Sequence, residues 1–234
     1  MSDASEHHSA HHGTVGIIGG TGPHGRGLAL RLRASGHHVL VGSRDAARAA
    51  EVVAELPEPV TPTSGTIVGV DNATAARDGD VVIVTTPWDG FTAVGEAHAA
   101  DLAGKVVVSC ANPMRFDAAG PMPVRLDEGS AAELLQRLCP EARVVSSFQN
   151  VSAVKLGRIA DALEGDVLLC GDDADAVTTA AHLVRGVEGL RPIHAGPLRM
   201  SAVAEDLTAL LISVNKRYRT NASIVVTGVT GGEG

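Results

Sequence analysis

Three glycines and a serine–arginine pair are the residues whose types and spacing point most directly to chemistry. Gly20-x-Gly22-x-x-Gly25 follows a short apolar, β-branched run, Val15 to Ile18, and precedes a helical pattern, Leu28-Ala29-Leu30-Arg31-Leu32. Strand, glycine turn and helix in that order are the context in which three glycines read as a dinucleotide-binding loop. Gly20 allows the tight turn, Gly22 lets the backbone approach a pyrophosphate, and Gly25 lets the helix pack close to the strand. The free N–H groups and the positive dipole end of that helix then face the phosphates.

The next strand, His38-Val39-Leu40-Val41-Gly42, ends in Ser43-Arg44. NAD-binding folds place Asp or Glu about 20 residues after the glycines, on the ribose 2′-hydroxyl. Here a hydroxyl and a guanidinium stand in front of the first carboxylate, Asp45. Arg carries a planar fork suited to phosphate, and Ser adds a hydrogen bond. Arg48 follows one turn later and can share the same group. The pair predicts NADP rather than NAD.

The chain of 234 residues suits one large domain or a Rossmann-type domain with a small addition. Aromatic residues make up 2%, so the core is built from Val, Leu, Ile and Ala, as a sheet covered on both faces prefers. A net charge of −8 without a basic stripe excludes a nucleic-acid protein. Cys110, Cys139 and Cys170 stand far apart without a CxxC pair, which fits free thiols in a reducing compartment. No apolar run has the length of a membrane span, and no signal-peptide pattern opens the chain. A cytoplasmic location is expected.

Residues 1–13 are polar, carry His7, His8, His11 and His12, and read as a disordered tail outside the fold. Beyond them strands are predicted at 14–19, 38–42, 66–70, 80–85, 105–109, 143–147, 166–170 and 189–194. Helices are predicted near 24–35, 45–55, 90–101, 129–138, 174–185 and 200–219. Runs such as Val81-Val82-Ile83-Val84 indicate buried parallel strands, and the alternation indicates a doubly wound, Rossmann-like α/β sheet. Residues 111–128 read as a loop, and Ile224 to Gly228 as a short strand or an interface piece.

Open α/β sheets bind ligands at the carboxyl ends of their strands. Those ends carry Thr85-Thr86-Pro87-Trp88, Ser109 to Pro113 and Ser146 to Asn150 as well as the two motifs above. Trp88 can lie against the ribose or pyrophosphate, or cap the core; both readings stand. No catalytic triad, HExxH or paired-carboxylate signature is present, and of the fold's histidines only His24 falls in the glycine loop. Direct hydride transfer between two bound cofactors needs aligned carbons more than acid–base groups. An NADP-dependent reductase of a small carbonyl or imine, and a non-catalytic NADP-sensing domain, are the alternatives.

Residues 19–32, 36–44, 84–88 (Val-Thr-Thr-Pro-Trp), 130–135, 169–173 (Leu-Cys-Gly-Asp-Asp) and 189–198 together resemble the NADPH-dependent coenzyme F420 reductases, or F420:NADP oxidoreductases. The resemblance covers nearly the whole fold in order. It implies an NADP-binding Rossmann domain over 14–150 and a small, mainly helical C-terminal domain over 151–234, in a homodimer. It implies NADP contacts from Thr21, Gly22, Pro23, His24, Ser43, Arg44, Arg48 and the Thr86-Pro87-Trp88 turn. Asn112 to Met114 and Val151 to Ala153 would flank the nicotinamide, and the deazaflavin of F420 would lie over it near Thr208. Several members carry His, Arg and Ser where this chain has Gln149, Ala202 and Asp206, all on the F420 side. Lys216, Arg217 and Arg219 are candidates for replacement positive charge, or a solvated helix end.

Overall fold

The computed structural model describes residues 13–229. Residues 1–12, with the four histidines of the polar tail, lie outside the described residues.

The chain alternates strand and helix. It runs β1 (Thr14–Ile18), α1 (Pro23–Ala34), β2 (His38–Ser43), α2 (Ala46–Ala54), β3 (Thr66–Asp71), α3 (Asn72–Asp78), β4 (Val81–Val84), α4 (Phe91–Leu102) and β5 (Val106–Ser109). A hairpin follows, β6 (Met114–Asp117) and β7 (Gly120–Pro123). The remainder is α5 (Ala131–Leu138), β8 (Arg143–Ser146), α6 (Ala153–Gly157), β9 (Gly165–Gly171), α7 (Ala174–Arg185), β10 (Leu190–Gly196) and α8 (Ser201–Tyr218).

Eight strands form one sheet in the order β10-β9-β8-β5-β4-β1-β2-β3. Neighbours are parallel except β8 and β9, which pair antiparallel through Val145 with Gly171 and Ser146 with Cys170. Every strand and helix predicted from the apolar pattern is present, and the fold is a Rossmann-like α/β sheet. Strands β9 and β10, which lie beyond residue 150, continue the same sheet.

Alternating strand residues feed two cores. Val106 and Val108 join α1, α6 and α7 on one face, while Val107 joins α3, α4 and α5 on the other. Burial on both faces is what makes these strands continuously apolar. Helix α1 starts with Pro at its first position, where the missing N–H costs nothing. It buries Leu28, Ala29 and Leu32 against the sheet.

Four segments differ from the sequence expectation. Residues 111–128 are not all loop: β6 and β7 form a hairpin turned by Asp117, whose Oδ1 accepts from Ala119 N at 2.8 Å and Gly120 N at 3.2 Å. Helices α3 and α6 are too short to carry a readable period. Residues 224–228 form no strand. They are pinned instead by Asp166, which accepts from Val226 N and from Arg191 Nε and Nη2 at 2.7 and 2.8 Å.

Candidate functional site

The carboxyl ends of β2, β1, β4, β5 and β8 lie side by side. Four inter-strand steps separate the outer two, about 19 Å. The predicted residues gather into three groups along this edge.

The first is the glycine loop. The left-handed residue of the turn is Gly19, at φ +70°, so the tight turn assigned to Gly20 falls one residue earlier. A Cβ on Gly25 would lie 2.6 Å from Gly20 Cα, so Gly25 does let α1 meet the loop. A Cβ on Gly22 would find only Gly19 O, at 3.9 Å; the space in front of Gly22 is open. Gly22 occupies the N-cap of α1 with no side-chain hydrogen bond, and the first turn has no acidic residue. Its orphan N–H groups are therefore left for an anion. The loop is held by Asn72, whose Oδ1 accepts from Gly19 N at 3.0 Å. Sequence reasoning missed Asn72; its only signal is a polar pair, Asp71-Asn72, closing an apolar strand.

His24 is the second residue of α1. Its Nε2 is buried without a partner, and burial pushes its pKa down to about 4, so the imidazole is neutral near pH 7.

The second group closes β2. Ser43 is buried, and its Oγ accepts from Asp45 N at 3.3 Å. Asp45 turns its carboxylate onto the start of α2, accepting from Ala47 N at 2.9 Å. The nearby acid is thus engaged, while Arg44 and Arg48 are exposed and, among the described residues, without an ion partner.

On the other side of the glycine loop from β2, Thr85 ties β4 to β1, its N and Oγ1 both donating to Ile18 O at 3.0 and 3.2 Å. Thr86 Oγ1 is buried and unpartnered beside Gly19. Pro87 precedes a single 3₁₀ turn over Trp88–Gly90. Trp88 stacks on Phe91 with ring centroids 5.8 Å apart and packs on the α3–α4–α5 core.

The third group joins three distant segments. Gln149 O accepts from Thr208 Oγ1 at 2.8 Å and from Asn112 Nδ2 at 3.4 Å. Gln149 Nε2 donates to Ser146 Oγ at 2.6 Å. Phe148, fully buried, holds φ +63°, an outlier for a bulky residue and typical of backbone constrained at a site. Val151 N returns to Phe148 O at 3.1 Å and leads to Ala153, which opens α6. Met114 opens the hairpin after Asn112. Six buried polar atoms along the edge lack a protein partner: His24 Nε2, Thr86 Oγ1, Ser109 Oγ, Asn112 Oδ1, Ser147 Oγ and Gln149 Oε1. Buried polar groups are ordinarily satisfied, so the row from Thr86 to Gln149 fits hydrogen-bonding ligands, whereas the neutral His24 ring packs beside the loop.

The acids near the third group are engaged. Asp206 pairs with Arg125. Glu205, 4% exposed, accepts from Ala131 N at 3.0 Å and Ala132 N at 3.2 Å at the start of α5. Burial outweighs these bonds and pushes its pKa up to about 7. Sequence reasoning missed Glu205, since nothing local marks a helix residue as another helix's cap. Ala202 is half-buried. Lys216, Arg217 and Arg219 are exposed, about 12–16 Å along α8 from Thr208.

A family model described as coenzyme F420-dependent NADP oxidoreductase matches residues 14–113. The F420-dependent NADP reductase of Methanocaldococcus jannaschii is 36% identical over 214 residues, 89% of this chain and 95% of that protein. That of Methanothermobacter thermautotrophicus is 34% identical over 220 residues, 92% and 95% of the two chains. A crystal structure from Arthrobacter sp. FB24, provisionally assigned as an F420-dependent NADP reductase, superposes with a TM-score of 0.75 at 27% identity, covering 92% of this chain and 99% of its own. An imine reductase of Bacillus cereus, at 17% identity and a TM-score of 0.59, shares the fold.

Proposed function

The chain belongs to the F420-dependent NADP reductase family, and from that premise we propose that it passes a hydride directly between NADP(H) and the deazaflavin coenzyme F420. The observation that carries the reading is the identity of 34–36% sustained over 89–92% of the chain, across both ends of the site edge.

When bound, the two cofactors supply the carbon that gives up the hydride and the carbon that receives it, with one proton exchanged with solvent. The chain's residues bind, orient and exclude water. Thr21, His24 and Gly25 turn backbone N–H groups to the pyrophosphate at the open start of α1, Gly22 leaves room for it, and Gly20 and Pro23 shape the loop around it. Ser43, Arg44 and Arg48 hold the 2′-phosphate. Thr86, Pro87 and Trp88 line the middle. Asn112, Met114, Val151 and Ala153 flank the nicotinamide, and Thr208 borders the F420 side. Residues 14–150 carry most of the NADP side in this reading; beyond them Val151 and Ala153 complete the nicotinamide wall and Thr208 borders F420. The neutral His24 and the engaged Glu205 and Asp206 suit a reaction that asks for alignment rather than acid–base catalysis.

The protein is proposed to act in the cytoplasm as a homodimer. Its three cysteines are free and buried, and among the described residues no helix is long and apolar enough to cross a membrane. Helix α8 exposes Val203 (64%) and Leu210 (61%), with Leu207 and Val214 between and beyond them at heptad-like spacing. A second copy covering this stripe accounts for it. Sedimentation should give a dimer, and Leu210→Glu a monomer.

Mixing the protein with NADPH and F420, and following loss of the deazaflavin's visible absorbance, tests the reaction. NADPH oxidation by F420 is expected. Tight NADPH binding with no oxidation at any F420 excess would favour the carbonyl or imine reductase, or the sensing domain.

A further inference from the structure

Arg31 is buried in α1, at 6% exposure, yet its guanidinium faces no carboxylate in an ion pair among the described residues. Four of its hydrogen bonds go to backbone carbonyls. Nε donates to Leu156 O at 3.2 Å, and Nη2 to Lys155 O at 3.1 Å, Arg158 O at 2.8 Å and Asp161 O at 2.9 Å. These carbonyls belong to the end of α6 and the turn beyond it, where a short helix has no partners of its own. Directly beside this fork, Gly27 brings the two helices together: a Cβ there would lie 2.5 Å from Leu156 Cβ. Leu156 is fully buried.

The two ends of this contact belong to different parts of the site. About two and a half turns before Arg31, α1 opens at Gly22 with its unclaimed N–H groups. At the other end α6 opens at Ala153, directly after Val151 and after Ser152, whose Oγ caps Lys155 N at 3.4 Å. The Arg31 fork, from the last turn of α1 to the end of α6, and the Gly27 contact thus fix α6 against α1, and the two helices carry that fit back to their starts at Gly22 and Ala153.

We infer that Arg31 is a positioning residue, fixing the distance between the pyrophosphate held at α1 and the nicotinamide wall at Val151 to Ala153 through its four carbonyl bonds. The inference rests on the NADP reading of the site and deepens it. Lys is a compact point charge and cannot reproduce the planar fork. With Arg31→Lys, α6 is free to shift against α1 while the 2′-phosphate contacts at Ser43, Arg44 and Arg48 stay as they are.

The test compares two nucleotides by calorimetry on the full chain. NADP+ spans the whole site, whereas 2′,5′-ADP carries the adenosine, the 2′-phosphate and the adenosine-side phosphate but no nicotinamide half to meet Val151 to Ala153. Arg31→Lys should weaken NADP+ by about tenfold, or about 1.4 kcal/mol, while 2′,5′-ADP stays within about twofold. A general loss of structure would weaken both. Gly27→Ala disturbs the same contact without touching the guanidinium and should give the same split, so it decides the matter if the lysine variant fails to fold. Equal weakening of both nucleotides, or no weakening of either, overturns the positioning role alone. A wild-type protein that binds neither nucleotide overturns the NADP reading itself.

Discussion

The starts of α1 and α5 lie at the same edge of the sheet, on opposite faces, and solve the same problem in opposite ways. Each presents backbone N–H groups that want an anion. Helix α5 supplies its own. Ser130 Oγ accepts from Glu133 N at 3.1 Å, and the buried carboxylate of Glu205 reaches across from α8 to Ala131 and Ala132. Helix α1 has glycine at its cap and open space before it. A built-in anion at a helix start has a desolvation cost. For Glu205 burial outweighs both N–H bonds, so its carboxyl gives up its proton only near pH 7. A helix start left open avoids that cost until a ligand arrives with its charge fixed on phosphate.

The largest effect should come from closing the open end. Gly22→Val places a branched side chain where now only Gly19 O stands, at 3.9 Å. NADPH binding should be lost in calorimetry, while the circular dichroism spectrum and the unfolding midpoint stay close to those of the parent. Retained affinity would show that the ligand does not use this helix start.

Next in size is the charge that assists α1 from the neighbouring strand. Arg44→Asp removes a phosphate contact and adds repulsion, and should cost NADPH binding roughly 2–4 kcal/mol. NADH, lacking the 2′-phosphate, should lose far less. Equal affinities of the parent protein for NADPH and NADH would contradict the reading of this strand end.

The closed end should reveal itself in stability. The pKa of Glu205 is raised from 4.5 in the unfolded chain to about 7 in the fold. The folded state therefore holds a proton that the unfolded state releases between those values. The stability this contributes is full below about pH 4.5 and is lost as pH rises through about 7, on the order of 3 kcal/mol. Glu205→Gln cannot ionise. Urea midpoints measured from pH 5 to 8.5 should fall with pH in the parent relative to the variant, and parallel curves would remove the carboxyl from the account.

The same contrast marks what was legible in the sequence. Features built from neighbours in the chain could be read: the glycine spacing, Ser43-Arg44 in place of a carboxylate, and every apolar strand. Features made by distant partners could not. Asn72 steadies Gly19 from 53 residues away, and Glu205 caps a helix more than 70 residues before it. The antiparallel direction of β9 is likewise a matter of topology, invisible in Val167 to Cys170. Short elements escaped for another reason. Helix α6 has five residues, too few for a period, and β7 carries two prolines that argue against a strand. The shift of the tight turn from Gly20 to Gly19 is a choice between adjacent glycines, which only the backbone angle decides.

The smallest expected effect sharpens the comparison by showing which part of α1 matters. His24 stands in the first turn of the open helix, and an imidazole beside phosphate invites a role as a cation or a proton donor. Its environment denies both. Burial holds its pKa near 4, so it carries no charge near pH 7. What it offers the phosphates is its backbone N–H, and alanine offers the same one. His24→Ala should therefore leave NADPH affinity and turnover with F420 within about threefold, the smaller loss coming from packing around the vacated ring. The pH dependence of turnover between pH 6 and 8 should match that of the parent. A loss beyond tenfold, together with a new inflection in that range, would mean that the side chain takes part and that α1 is open in its backbone only.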